Sequence, residues 1–289
     1  MPILILGGRG NLGSQLKKFF SNDYKTVAWD RDDVDVLDFD LLREKILALK
    51  PLLIINAVAF NAVDSCENKD GFTKALKLNA ELPAVLADIA LTISAVLIHY
   101  SSDYVFNGTD NKQFFLEHET PNPINKYGES KFAGELELKK RAARGLNYYL
   151  IRTSKLFGPA GSSETSKPSF FEVMLGLAYK GGELTVVKEE LSCFTYTPDL
   201  AQATKRLWEL KVPFGEFHLV NEGPCTWYEA VTEFFALQKL EVKIRAIRSE
   251  DLLRAARRPK FSVLKNTKVK KLRGLNQALA EYVNLLNLK

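Results

Sequence analysis

The chain has 289 residues, of which 46% are hydrophobic and 26% charged, with a formal net charge of +5. That balance is enough for one large globular domain or two unequal ones, without disulfide or metal staples. Three scattered cysteines (Cys66, Cys193, Cys225) and three histidines without ligand spacing (His99, His118, His218) argue against a disulfide framework and a metal centre.

A reducing cytoplasm is therefore expected. The opening MPILILGGRG holds too short an apolar run for a secretory leader, and no stretch approaches membrane-spanning length, so neither export nor a membrane is expected. Apolar runs then alternate with amphipathic ones. Strands are predicted at 3–6, 25–29, 52–57, 95–101 and 148–154, and helices at 13–20, 39–50, 72–91 and 128–144. This order builds a doubly wound parallel sheet of the α/β class. The Gly/Ser/Pro-rich segment 158–169 reads as a mobile loop.

Beyond that loop the alternation becomes irregular: a helix near 169–180, the short strand LTVVK, a helix after Pro198, a strand at 217–221, and helices near 226–238 and 274–287. The 217–221 strand is assigned to the same sheet. Residues 1–157, with 198–221 returning, then form a dinucleotide-binding domain, and most of 158–289 forms a smaller cap with a substrate crevice between the two. Arg254 to Arg273 carries nine basic residues and no acid. It reads as a solvated face or an anion trap, and without interleaved aromatics no nucleic acid is expected.

The first strand runs into Gly7-Gly-Arg-Gly-Asn-Leu-Gly13, which opens the first helix. Glycines there permit a tight turn and close backbone approach to a pyrophosphate, held by the N–H groups and dipole of the helix start. Asp30 ends the second strand, where an acid takes an adenosine ribose hydroxyl and favours NADH. Arg9 and Arg31 could instead clamp a 2′-phosphate, so NADPH and NADH both stay open.

The strand AVLIHYSSDYVFNG (95–108) delivers Ser101, Ser102 and Asp103 to the crevice end of the sheet, and YGESK places Tyr127 and Lys131 on one face of a helix start. A serine at a strand end is commonly a turn residue, and a Tyr/Lys pair commonly a half-buried aromatic beside a solvated cation. Read with the glycine loop, they suggest a proton-donating phenol whose pKa the lysine lowers, and a hydroxyl that bonds a carbonyl.

GGRGNLG, NAVAFNAVDSCE, SSDYVFNG, PNPINKYGESKFAGE, TWYEAV and RRPKFSVL resemble the extended short-chain dehydrogenase/reductase superfamily, and within it the dTDP-4-dehydrorhamnose reductase family, over essentially the whole chain. The resemblance implies a Rossmann fold with a smaller C-terminal substrate-binding cap, NADPH or NADH as cofactor, and a sugar-nucleotide substrate whose C4 ketone is reduced. It implies Tyr127 as general acid, Lys131 as its pKa-lowering partner and ribose ligand, and Ser102, where the family usually has threonine, as the ketone's hydrogen-bond donor.

Around the cofactor it implies Gly7, Arg9, Gly10, Asn11, Leu12 and Gly13 at the pyrophosphate, Asp30 and Arg31 at the adenosine ribose, and Asp35 and Val36 at the adenine. Ala57, Val58, Ala59 and Asn79 complete the cofactor set. Asn61, Asp103, Lys155, Arg258 and the Trp227 region are implied for the substrate. A homodimer is left open.

Three positions depart from the family pattern. Lys155 replaces a tryptophan after Arg-Thr-Ser, Glu190 replaces the glutamine of Asp-Gln-x-Gly, and Phe261 replaces an asparagine. The sugar pocket is accordingly expected to differ from the usual one. A sugar-nucleotide epimerase, and a non-catalytic dinucleotide-binding subunit resembling the methionine adenosyltransferase β subunit, are the alternative readings. Dehydration is disfavoured because Tyr104, not glutamate, follows Asp103.

Overall fold

The computed structural model describes residues 1–108, 113–163 and 166–288. In chain order the strands and α-helices are β1 (Ile3–Leu6), α1 (Asn11–Phe20), β2 (Thr26–Trp29), α2 (Phe39–Leu49), β3 (Leu53–Asn56), α3 (Lys69–Leu76), α4 (Leu82–Ile93), β4 (Val96–Ser102), α5 (Lys126–Ala142) and β5 (Tyr148–Thr153). Then follow β6 (Leu156–Phe157), α6 (Phe170–Lys180), β7 (Leu184–Val187), β8 (Thr195–Tyr196), α7 (Thr197–Glu209), β9 (Gly215–His218), α8 (Trp227–Gln238), β10 (Ile244–Ile247) and α9 (Leu275–Asn287).

Six strands pair in parallel in the order β2-β1-β3-β4-β5-β9. Both faces are covered, which is why the strands are near-continuous apolar runs without a polar side. Ile3, Ile5, Leu53 and Ile55 point to a core shared with Leu12, Leu16 and Phe20 of α1 and Leu200 and Leu207 of α7. Their neighbours Leu4, Leu6 and Ile54 point the other way, onto Leu42 and Ile46 of α2, Leu82 and Leu86 of α4 and Leu138 of α5. The strand order reverses between β1 and β3, so the ligand crevice of this sheet opens at their carboxyl ends.

The predicted helix at 72–91 is three pieces: α3, a π-helical stretch over Lys77–Glu81, and α4. Asn79 sits in that π stretch, where the extra residue per turn lets it face inward. The return to the sheet is made by α7, packed on α1, and by β9, beside β5. The strand expected at 217–221 thus begins two residues earlier.

Two small parallel sheets, β10-β7 and β6-β8, were not anticipated apart from β7 itself. A separate aromatic core of Phe157, Phe171, Phe194, Tyr196, Phe234 and Tyr282 underlies this second region. Glu164 and Thr165, from the loop expected to be mobile, lie outside the described residues. No helix among the described residues is long and apolar enough to cross a membrane.

Candidate active site

The glycine turn leaves β1 at Gly7, whose φ of 75° is left-handed and suits a residue without Cβ. A Cβ on Gly13 would lie 1.9 Å from the Gly7 carbonyl oxygen, so the first turn of α1 can close on the loop only as glycine. Ala57 and Val58, leaving β3, press against Gly7 from the other side. Buried Asn56 sets that second loop by accepting from the Val58 N–H at 3.1 Å and meeting His99 Nδ1 at 3.1 Å. The result is a backbone-lined cradle at the topological switch, of the kind that receives a dinucleotide pyrophosphate.

At the adenosine end, Asp30 accepts from the backbone N–H groups of Arg9 (3.1 Å) and Arg31 (2.9 Å). The Arg9 guanidinium is turned away to Asp32, with Asp33 behind it. Arg31 and Asp35 are exposed, and Val36 packs under α2. Leu12 is a core residue, so it offers a ligand only its backbone.

Asn11 is also committed: its side chain accepts from the Gly161 N–H at 2.8 Å and donates to the Lys167 carbonyl at 3.0 Å. Described residues of the 158–169 loop therefore rest on the glycine turn, a contact sequence reading missed. Asn79 is expected among the cofactor ligands. It is fully buried and holds Phe60 through both its amide groups (2.9 and 3.0 Å) and Ser130 at 2.9 Å, leaving no donor for a ligand.

At the centre, β4 ends at Ser102 and α5 begins at Lys126. The cap of α5 is Asn125, which accepts from the Gly128 N–H at 2.8 Å and donates to the Arg257 carbonyl at 2.9 Å. A Cβ on Gly128 would stand 2.1 Å from the Tyr104 carbonyl, so the helix start packs directly on the turn after Ser102. This brings the Tyr127 phenol close enough to Ser102 for the serine hydroxyl to act on its pKa. Ser102 in turn donates to Asp103 at 3.0 Å, and Ser262 donates to the other oxygen of Asp103 at 2.6 Å. Asp103 is 2% exposed. Burial raises its pKa against the pull of Ser262, Ser154, Lys155 and Ser102.

Lys131 is buried and donates to the Tyr100 carbonyl at 2.7 Å. Burial brings its ammonium down to about 8, with Glu135 pulling the other way. The expected lowering of the Tyr127 pKa by Lys131 is corrected here. Burial pushes the phenol above its usual range, Asp103 and Cys66 add to the rise, and only Ser102 holds it down. The lysine ammonium is directed at the Tyr100 carbonyl instead.

Tyr127, Lys131 and Glu135 share one face of α5 at four-residue spacing. Glu135 forms a two-pronged pair with Arg152 of β5 (2.9 and 2.7 Å), with both side chains fully buried. Arg152 also donates to the Glu117 carbonyl at 3.1 Å. This pair locks α5 to the sheet, and no local sequence motif announces it.

On the substrate side, Arg258 is bidentate to Asp64 (2.9 and 2.7 Å) and also donates to the Ala256 carbonyl at 2.7 Å. Arg258, expected at the substrate, is thus held in this structure by an internal carboxylate. Asn61 is exposed. Glu190 is buried under Arg254 and accepts from Trp227 Nε1 at 3.0 Å and Ser249 at 2.6 Å. Phe261 packs with Phe115. Lys155 has a left-handed φ of 40°, and its Nζ lies 3.9 Å from the Trp227 ring centre. Among the described residues no group of His, Cys, Asp and Glu could hold a metal.

Comparison with known proteins agrees with this geometry. The family model of the RmlD substrate binding domain matches residues 1–286. The spore coat polysaccharide biosynthesis protein SpsK of Bacillus subtilis is 32% identical, covering 97% of this chain and 96% of its own. The crystal structure of a dTDP-4-dehydrorhamnose reductase from Clostridium acetobutylicum superposes with a TM-score of 0.90 at 32% identity, covering 99% of this chain and 100% of that one. The Bacillus anthracis dTDP-4-dehydrorhamnose reductase, solved in complex with NADP, also gives 0.90, at 27% identity and 98% and 99% coverage. The chain belongs to the dTDP-4-dehydrorhamnose reductase family.

Proposed function

We propose that this chain is a cytoplasmic NAD(P)H-dependent reductase of the C4 ketone of a 4-keto-6-deoxy sugar nucleotide, with dTDP-4-dehydro-L-rhamnose as its substrate. The observation that carries the reading is the packing of the start of α5, with Tyr127, directly on the turn that follows Ser102 at the carboxyl end of β4. Lys131 lies one turn along α5, and the glycine turn lies two strands away. Family membership supports the cofactor class and sugar-nucleotide chemistry. Three free cysteines, two of them buried, support the reducing compartment.

The nicotinamide supplies a hydride when bound. Tyr127 gives its proton to the carbonyl oxygen as that oxygen gains charge, and Ser102 donates a hydrogen bond to the same atom. To do so the Ser102 hydroxyl turns its hydrogen from Asp103, to which it donates at 3.0 Å, toward the ketone. Lys131, anchored on the Tyr100 carbonyl, keeps two N–H donors for a ribose. Asp30 takes an adenosine ribose hydroxyl. Because Arg9 is paired with Asp32, the adenosine end suits NADH without barring NADPH.

The test is a panel of 4-keto sugar nucleotides assayed with NADH and with NADPH by nicotinamide absorbance. Cofactor oxidation with dTDP-4-dehydro-L-rhamnose, exceeding that with other members, is expected. Dinucleotide binding without oxidation by any ketone of the panel would contradict the reading and favour a regulatory role.

A further inference from the structure

Lys155 is the departure from the family pattern that the reaction described above does not use. It follows β5 directly, beside Ser154, and β5 is paired to β4 through Thr153 and Ser102, so Lys155 enters the crevice next to the reacting hydroxyls. Its Nζ lies 3.9 Å from the Trp227 ring centre and 4.9 Å from that of Phe194. Both rings belong to the second region, so the ammonium spans from the sheet to the cap. It covers the aromatic surface on which the apolar face of a sugar would otherwise stack.

The ammonium is poorly satisfied. Among the described residues its acceptor is the Glu190 carbonyl, at 3.4 Å, the edge of a hydrogen bond. An ammonium has three donors, so two remain. The Glu190 carboxylate is no substitute, since Arg254, Ser249 and Trp227 already occupy it. The other groups that act on Lys155 are Asp103, whose two oxygens are taken by Ser102 and Ser262, and the thiols of Cys225 and Cys193. Burial brings the amine down to about 8, as expected for a cation with few partners. Its backbone also sits in the left-handed region, at a φ of 40°, which a lysine occupies only at a cost. A desolvated ammonium with spare donors discriminates strongly, because a methyl group placed against it would strand those donors.

We infer that Lys155 is a specificity residue of the sugar site, donating to an oxygen substituent of the sugar ring rather than supporting an apolar ring face. This rests on the sugar-nucleotide reading above and adds to it what the sugar must carry. The inferred contact is to the sugar and not to the nucleotide.

Titration calorimetry on the full chain with dTDP-L-rhamnose and, separately, with dTDP tests it, using wild type and Lys155→Met, which keeps the length of the stem. Loss of a charged hydrogen bond predicts roughly ten- to hundredfold weaker binding of dTDP-L-rhamnose, with dTDP affinity unchanged. Equal affinity of wild type and variant for dTDP-L-rhamnose would overturn the inference alone. An equal loss for both ligands would overturn it too, by assigning the effect to the nucleotide site or the fold. Failure of wild type to bind either ligand would overturn the sugar-nucleotide reading and this inference together.

Discussion

At the scale of single residues, Lys131 is the group whose charge state is most open to test. It is buried against the Tyr100 carbonyl, Glu135 one turn away favours its charge, and neighbouring His99 adds no opposing positive charge because burial holds its pKa well below the usual value. Its ammonium is present below about 8 and is lost as pH rises through that value. If it holds the nicotinamide ribose, NADPH binding measured without sugar nucleotide weakens between pH 7 and 9.5. Lys131→Met binds several-fold more weakly at pH 7 and shows a flat profile. An unaltered profile in that variant would assign the titration to another group. Ser102, Tyr127 and Lys131 were legible in the sequence because strand ends and i, i+4 spacing are local features. Asp103–Ser262 was not, because its partners are 159 positions apart. The direction of the Tyr127 shift was misread for a related reason: burial is a tertiary quantity, and here it outweighs any charge that spacing alone suggests.

At the scale of elements, α5 is the part on which the site depends. Its start is capped by Asn125 and pressed on the Tyr104 carbonyl, and its third turn is held by the Glu135–Arg152 pair. Both groups of that pair are fully buried, so removing one strands the other in a low-dielectric interior. Glu135→Ala is expected to lose about 3–5 kcal/mol in urea unfolding. A loss within about 1 kcal/mol, the range of an exposed pair, would show that the pair does not anchor the helix. Every strand of the sheet except its exact ends was legible, since a short apolar run between turn signals leaves few alternatives. The strand Ile244–Ile247 was missed because its burial is partial and its pattern ragged. The π stretch at 77–81 was missed because an inserted residue leaves the amphipathic pattern of the flanking helices intact.

At the scale of the whole molecule, the sheet carries the glycine turn suited to a dinucleotide, and the second region carries most of the residues proposed to face the sugar. The cradle is local in sequence, a glycine turn and two strand ends, and so it could be read directly. Lys155, Glu190, Trp227, Arg254 and Arg258 come from four separate segments, and Glu190 ties Trp227 and Arg254 together. Arg258 facing Asp64 shows how an apparently free cation in a sequence becomes a strut between regions. The central claim is that the Tyr127 phenol gives up a proton to the ketone oxygen while Ser102 bonds it. The most direct measurement is kcat of Tyr127→Phe with dTDP-4-dehydro-L-rhamnose, alongside its NADPH dissociation constant. The account predicts a fall of about 100-fold or more in kcat with the dissociation constant changed little. Wild-type turnover in that variant would contradict it.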